Sequence, residues 1–164
     1  MRLAIISDTH LPRGSRRLPE ECVQRMRAAE LILHAGDLVA VEVLIELETL
    51  GPPVLAVHGN VDEPDVRARL PAERTVEADG ARIAMVHDAG PADRRLERLR
   101  LRFPEVDAVV FGHSHIPLHE SSSDGAFQIF NPGSPTDRRR QPHHTMGEAL
   151  AGDGRVEFAL VRLD

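Results

Sequence analysis

The stretch RLAIISDTH at residues 2–10 decides the fold, because an apolar run of strand length ends directly on Asp8 and His10. Short apolar runs that stop at polar residues are typical of buried strands. In open α/β sheets, ligands bind beyond the carboxyl ends of the strands. The same design recurs in LILHAGD, VLAVHGN, IAMVH and AVVFGHSH, which end on Asp37, Asn60, His87, His113 and His115.

These seven side chains predict a centre for two metal ions. They supply oxygen and nitrogen donors, and a carboxylate is available to bridge two divalent cations about 3.5–4 Å apart. The mixed set suits Mn²⁺ first, and Ni²⁺, Co²⁺, Zn²⁺ or Fe as alternatives. The chemistry typical of such a centre is hydrolysis at phosphorus.

The order of elements along the chain predicts an α/β fold with mixed sheets. Strands over 2–7, 31–34 and 54–58 alternate with helices over 19–29 and 39–50, which is the rhythm of βαβ units. After residue 70 three Asp-Gly pairs lie between apolar segments and predict tight hairpins. One further helix is predicted over 91–102.

Length and composition predict a single domain over residues 1–164 in the cytoplasm. The chain opens on a strand without a signal sequence, and no apolar run is long enough to span a membrane. Its one cysteine, Cys22, excludes an internal disulfide. The net charge of −6 gives no reason to expect nonspecific binding to nucleic acid.

Five motifs in order resemble the calcineurin-like metallophosphoesterases, and among them the small prokaryotic phosphodiesterases. The resemblance runs from residue 3 to about residue 140 and rests on DTH at 8–10, GD at 36–37, GNVD at 59–62, GHSH at 112–115 and NPGS at 131–134. It implies a four-layer αββα sandwich, in which two mixed sheets pack face to face between helices. A homodimer is implied by the resemblance alone.

The resemblance also implies a role for each side chain of the site. Asp8, His10 and His115 would bind the first metal, Asp37 would bridge, and Asn60 and His113 would bind the second. His87 would be a further ligand, and Asp37, Asn60 and His113 would take part in catalysis. Taken alone, each has a simpler interpretation: Asp37 as a helix N-cap, Asn60 as a turn residue and His87 as a packed histidine.

One position departs from the superfamily. Many members have a histidine after the asparagine that stabilises the transition state or protonates the leaving group, and this chain has Val61 there. The small phosphodiesterases lack that histidine too, so the hydrolase interpretation stands without an assigned general acid. Candidates are His58, Asp62 and a metal-bound water.

The hypothesis from the sequence is a phosphodiesterase that cleaves a small diester by attack of a metal-bridging hydroxide. A phosphomonoesterase acting on nucleotides or phosphoproteins, and a noncatalytic scaffold of the same fold, are the alternatives. Arg138, Arg139 and Arg140 either contact a phosphate or form a solvated charge run. For the arginines of the helix near 91–102, solvent exposure and ion pairing within the chain are favoured over contact with a partner.

Overall fold

The computed structural model describes residues 1–164 as ten strands and four helices. The predicted site residues follow the carboxyl ends of five strands, each of which has a parallel neighbour. In chain order the elements are β1 (Arg2–Ile6), α1 (Glu20–Ala28), β2 (Leu31–His34), α2 (Val41–Glu48), β3 (Val54–Ala56), α3 (Pro64–Arg69), β4 (Glu73–Ala78), β5 (Ala81–Val86), α4 (Arg95–Arg102), β6 (Ala108–Val110), β7 (Leu118–Ser121), β8 (Gln128–Asn131), β9 (Thr145–Gly152) and β10 (Arg155–Arg162).

The strands form two five-stranded mixed sheets, in the orders β10-β9-β1-β2-β3 and β4-β5-β6-β8-β7. In the first sheet β1, β2 and β3 are parallel, and the β9–β10 hairpin joins β1 in antiparallel orientation. In the second sheet β5, β6 and β8 are parallel, with β4 and β7 antiparallel at the edges. Each sheet therefore contributes three parallel strands whose carboxyl ends can carry ligands.

The alternation of side chains along β1 shows how the layers are built. Leu3 and Ile5 belong to a core between the two sheets, which Phe130 of β8 joins from the opposite side. Ala4 and Ile6 face outward and pack with residues of α1, α2 and α3. A third cluster lies between α4 and the outer face of the second sheet. The predicted four-layer αββα sandwich is confirmed.

Most predicted elements are present with shorter ends. Strand 54–58 ends at Ala56, and helix 91–102 begins at Arg95, after Arg94 in a left-handed conformation. The Asp-Gly pairs at 79–80 and 153–154 form tight hairpins, whereas β7 and β8 are joined by the longer segment 122–127. The helix α3 was not predicted, because six residues are too few to show a helical period.

The arginines of α4 pair within the chain, as expected. Arg100 contacts Asp124 and Arg102 contacts Glu73, while Arg95 lies over the ring of Phe111. None of the four helices is long and apolar enough to cross a membrane. Location in the cytoplasm and a single domain over 1–164 stay predictions.

The close approach of the two sheets yields a first testable expectation at Gly147. A Cβ atom there would lie 2.3 Å from Cε1 of Phe130 and 3.2 Å from Cβ of Ile5, whereas a Cβ at Gly152 of the same strand would meet nothing within 4 Å. We expect Gly147→Ala to lower the free energy of unfolding by about 1–3 kcal/mol through overpacking. Gly152→Ala serves as the matched control in urea unfolding, and equal losses in the two variants would contradict this packing.

Candidate metal centre

The seven predicted side chains come together at one end of the sandwich. Each follows the carboxyl end of a parallel strand, namely β1, β2, β3, β5 or β6. Five of the seven have positive φ, which is uncommon for residues other than glycine and marks sites where backbone strain serves a function. These five are Asp8 (56°), His10 (47°), Asp37 (60°), His113 (68°) and His115 (59°).

A first group of possible metal ligands consists of Asp8, His10 and His115, all buried. Their ligand atoms lie within 4.8 Å of one another. His115 Nε2 is 3.4 Å from Asp8 Oδ1 and 3.2 Å from His10 Nε2. The family resemblance implied that these three residues bind one ion, and the structure brings their ligand atoms together.

A second group shares Asp8 with the first and adds Asp37 and His87. His87 Nε2 lies 3.2 Å from Asp37 Oδ2, and the same oxygen lies 3.6 Å from His10 Nε2. Asp37 Oδ2 is therefore close to imidazoles of both groups, which is the location that a bridging carboxylate needs. Asp8 also reaches both groups, a sharing that the sequence had not suggested.

Asn60 and His113 adjoin the second group on its exposed side. Asn60 Oδ1 is 3.1 Å from His87 Nε2 and 3.0 Å from His113 Nδ1. Both residues are exposed, whereas the other five predicted ligands are buried. The site therefore opens to solvent beside Asn60 and His113.

Main-chain carbonyls fix the orientation of two imidazoles. The Nδ1–H of His87 donates to the Ala35 carbonyl at 2.8 Å, and that of His115 donates to the Asp137 carbonyl. A carbonyl oxygen only accepts, so Nδ1 carries the proton in both rings and the neutral ring has its lone pair on Nε2. In both rings Nε2 faces the carboxylates, and two lone pairs directed at each other require a proton or a cation between them.

Each carboxylate directs one oxygen at imidazoles. Asp8 Oδ2 accepts from the Ser7 hydroxyl at 2.7 Å, and the two oxygens of Asp8 share the His113 N–H at 3.0 Å and 3.2 Å, with Oδ1 the oxygen that lies 3.4 Å from His115 Nε2. Asp37 Oδ1 accepts from the Val61 N–H at 3.0 Å, which leaves Oδ2 toward His10 and His87. The arrangement directs a lone pair of each carboxylate into the site.

The pKa shifts of the buried groups favour positive charge between Asp37 and His87. Burial acts to raise the pKa of Asp37, but the hydrogen bond and charge of His87 and the Val61 N–H lower it to about 2. Burial acts to lower the pKa of His87, but Asp37 and Asp8 outweigh it and raise that pKa. In His115 burial dominates over Asp8, and the pKa is lowered. Asp37 is thus ionised and the lowered pKa of His115 favours its neutral ring, both of which suit a bound cation, whereas His87 would have to give up its proton to a cation.

Asp62 is a structural residue that the sequence had offered as a general acid. It is 4% exposed, and its oxygens accept from the main-chain N–H groups of Val39 (2.6 Å), Gly59 (2.6 Å) and Asp37 (3.1 Å). A carboxylate engaged by three donors is badly placed to give a proton to a substrate. Asp62 instead ties the loop that carries Asp37 to the loop that carries Asn60.

His34 is buried and lies behind the site rather than in it. Its Nδ1 accepts from the Gly36 N–H at 3.1 Å, so its proton is on Nε2 and is donated to the Thr9 hydroxyl at 3.1 Å. Thr9 separates Asp8 from His10, so His34 connects the two metal-ligand loops that follow β1 and β2. Periodicity could not identify this role, because a histidine that ends a strand has no sequence signal for its partners.

The NPGS segment at 131–134 frames the site through its polar side chains. Asn131 donates to the Gly112 carbonyl at 3.0 Å and to Ser114, and Ser134 donates to the Asp8 carbonyl at 2.8 Å. These bonds support the main chain on either side of the first group. Of the other histidines, His144 contacts Asp164 and His119 contacts Gln128, and neither approaches the site.

Two of the motifs begin with a glycine, Gly59 or Gly112, because neighbouring groups leave no room for a side chain there. A Cβ at Gly59 would lie 2.1 Å from Asp37 Oδ1, and one at Gly112 would lie 1.9 Å from Ser7 Oγ and 2.6 Å from Asp8 Oδ2. The space that a side chain would fill is taken by the carboxylates or by the group that holds them. Gly59 and Gly112 therefore permit two loops to approach closely enough for shared ligation.

A cavity of about 260 Å³ adjoins the exposed side of the centre and is lined by His58, Asn60 and His87 among others. His58 is half-buried at this cavity, with Nδ1 3.3 Å from the Gly59 carbonyl. The cavity also contains Arg67, whose guanidinium donates to the main-chain carbonyls of Asn60 and Asp62. Larger cavities elsewhere in the molecule are lined by none of the predicted ligands.

Known proteins resemble this chain in sequence and in fold. A family model described as the calcineurin-like phosphoesterase superfamily domain matches residues 1–150. A probable metallophosphoesterase of Methanothermobacter thermautotrophicus is 37% identical, over 99% of this chain and 92% of the relative. Phosphodiesterase MJ0936 of Methanocaldococcus jannaschii is 27% identical, over 81% of this chain and 83% of the relative. Wild-type Vps29 of Entamoeba histolytica, solved with Zn²⁺, shares the fold with a TM-score of 0.76 at 22% identity and complete coverage of both chains.

We expect Asp62→Asn to weaken the connection between the two loops. The substituted amide would place an N–H against main-chain donors in a buried position, at a cost of about 2–3 kcal/mol in the free energy of unfolding. Asp65→Asn, at an exposed position in the first turn of α3, is the matched control. Urea unfolding measures both variants, and a loss in Asp62→Asn no larger than in Asp65→Asn would refute the proposed role of Asp62.

His34 gives an expectation for the pH dependence of stability. Burial is the main cause that lowers its pKa from 6.5 to about 4 in the folded chain. Between these pH values the unfolded chain binds a proton at His34 that the folded chain does not. The free energy of unfolding therefore decreases as the pH falls from about 6.5 to about 4. We expect EDTA-treated His34→Gln to lose less stability over this window than EDTA-treated wild type. His119→Gln, which changes an exposed histidine, should retain the wild-type slope in denaturant titrations.

Proposed function

The chain belongs to the calcineurin-like phosphoesterase superfamily, and on that premise we propose that it is a phosphodiesterase that works with two divalent cations. The observation that carries the proposal is the pair of buried ligand groups that share Asp8. A relative named as a phosphodiesterase supports the preference for diesters.

The donor set fits two cations. Asp8 Oδ1, Asp37 Oδ2 and the Nε2 atoms of His87 and His115 are directed at one another, and other bonds hold the remaining polar atoms of these side chains. Only species of positive charge satisfy such a set. In the proposal Asp37 bridges, the first ion is held by Asp8, His10 and His115, and the second by Asn60, His87 and His113.

When bound, the two cations supply Lewis acidity, which activates water near neutral pH and stabilises negative charge on the phosphoryl group. The protein holds the donors rigidly, through the carbonyls of Ala35 and Asp137 on the imidazoles and the N–H groups of Val61 and His113 on the carboxylates. Such fixed orientation avoids reorganisation during the reaction. Mn²⁺ is the metal that we propose first, with Ni²⁺, Co²⁺, Zn²⁺ and Fe as the alternatives.

The substrate enters on the side of Asn60 and His113. These are the exposed members of the ligand set, so a phosphoester that reaches the centre from solvent meets them first. The cavity lined by His58 and Arg67 extends from the same side and provides room for an ester substituent. In this proposal His113 and Asn60 orient the phosphoryl group.

The identity of the leaving group follows from the residues that could protonate it. Val61 cannot donate a proton, and Asp62 is engaged by three main-chain donors. His58 is the one side chain left among the candidates, and it lines the cavity next to Asn60. Because the protein offers so little for protonation of the leaving group, we propose a small diester with a good leaving group as the substrate.

Two alternatives to a phosphodiesterase are open to direct tests. A phosphomonoesterase would use the same centre, and the ratio of diester to monoester hydrolysis distinguishes it. A noncatalytic scaffold of the same fold is the second alternative. A scaffold would bind no stoichiometric metal or would bind metal without turnover, and metal analysis combined with the assay separates these cases.

Hydrolysis of bis-p-nitrophenyl phosphate by metal-stripped protein, with and without Mn²⁺ and beside p-nitrophenyl phosphate, tests the proposal. We expect Mn²⁺-dependent cleavage in which the diester exceeds the monoester. Asp37→Asn should lower kcat by about 10³-fold, because it removes the bridging charge and retains an oxygen for the Val61 N–H. Asp153→Asn, in the β9–β10 turn at the opposite end of the sandwich, is the control. Undiminished activity of folded Asp37→Asn would overturn the assignment.

A further inference from the structure

Four exposed arginines border the first ligand group and take no part in the centre itself. We define the arginine rim as Arg13, in the loop after β1, together with Arg138, Arg139 and Arg140, in the loop after β8. None of the four forms an ion pair within the chain, and the one side-chain hydrogen bond among them is from Arg138 to the Gln141 carbonyl.

The two loops are joined to each other and to the site. Arg16 contacts Asp137 with Nη2 3.0 Å from Oδ2, and the Thr136 hydroxyl donates to the Thr9 carbonyl at 2.6 Å. The His115 ring donates to the main-chain carbonyl of Asp137, the residue directly before Arg138. The main chain that carries the rim is therefore held near His10 and His115 by contacts between the two loops.

The distribution of charge around the centre is asymmetric. Residues 11–19 and 132–144 contain six arginines and a single acid, Asp137, which pairs with Arg16. On the opposite side, the cavity beside Asn60 has two arginines and two acids, Glu73 and Asp88. Unpaired like charges repel, so such a cluster in a chain of net charge −6 is most stable with an anion bound.

We propose that the arginine rim binds a second phosphate of the substrate, so that the natural substrates are small phosphoesters that carry a further phosphate group. This inference rests on the proposed function of the metal centre. The guanidinium group suits it because its planar set of donors matches two phosphate oxygens. The negative net charge of the whole chain favours a small molecule over a polynucleotide.

Two p-nitrophenyl esters that differ by one phosphate test this inference. They are thymidine 5′-(p-nitrophenyl phosphate) and its 3′-phosphorylated form, each assayed with the Mn²⁺-loaded protein. We expect kcat/KM to be at least about tenfold higher for the 3′-phosphorylated ester, chiefly through KM, since the rim does not contact the reacting atoms. The preference should decrease as the salt concentration rises.

Arg139→Asn is the informative variant. Arg139 has a φ of 48°, a conformation that asparagine tolerates, so the substitution removes the charge without imposing new strain. We expect the ratio of the two kcat/KM values to fall toward one, with partial retention in Arg139→Lys. Arg155→Ser, an exposed arginine at the start of β10 and at the opposite end of the sandwich, should retain the wild-type ratio.

The outcomes separate the two proposals. Equal kcat/KM values for the two esters in wild type, or a ratio unchanged in Arg139→Asn, would overturn the rim as a phosphate site while leaving the phosphodiesterase intact. If no ester is hydrolysed, the proposed function fails, and calorimetric binding of thymidine 3′,5′-bisphosphate against thymidine 5′-monophosphate tests the rim alone. Cleavage of oligothymidylate with a higher kcat/KM than the 3′-phosphorylated ester would overturn the assignment to small molecules.

Discussion

The metal centre depends on an unfavourable backbone conformation that is repeated at five of its seven predicted ligands. A left-handed residue turns the chain sharply at the end of a strand, and Asp8 and His10, which follow β1, come to lie within 4.8 Å of a ligand atom of His115, which follows β6. His113 of the same loop as His115 contacts Asn60 instead. Each such residue costs free energy, of order 1–3 kcal/mol. Packing of the hydrophobic cores of the sandwich must offset this cost.

Hydrogen bonds from the main chain hold the strained loops in place. Asp62 accepts from three N–H groups on the loops after β2 and β3, and His34 connects the loops after β1 and β2. Carbonyls of Ala35 and Asp137 fix the imidazoles of His87 and His115. The ligand atoms are therefore directed at one another by the fold, and the electrostatic cost of that arrangement is relieved when positive charge lies between them.

The two sides of the centre differ in exposure and in proposed role. The buried side, with Asp8, Asp37 and His10, suits the binding of cations, whereas the exposed side, with Asn60 and His113, suits contact with substrate. Family membership accounts for a phosphoesterase site as such. The proposed preference for substrates with a second phosphate depends instead on the arginine rim, whose position relative to the centre is set by the contact of Arg16 with Asp137.

The sequence by itself determined an α/β fold with mixed sheets, the strands that carry the site and the seven candidate ligands, because apolar runs and the polar residues that end them are local signals. The four-layer arrangement was implied by the resemblance to the family. The sequence did not reveal α3, which is too short to show periodicity, or the six-residue connection between β7 and β8. It offered Asp62 as an acid, since a carboxyl in a motif has several uses until its partners are known. Only the tertiary structure decided that Asp62 accepts from three main-chain donors, that Asp8 reaches both ligand groups and that the arginine rim borders the first of them. These properties depend on contacts between residues far apart in the chain, and hydrophobic periodicity carries no information about such contacts.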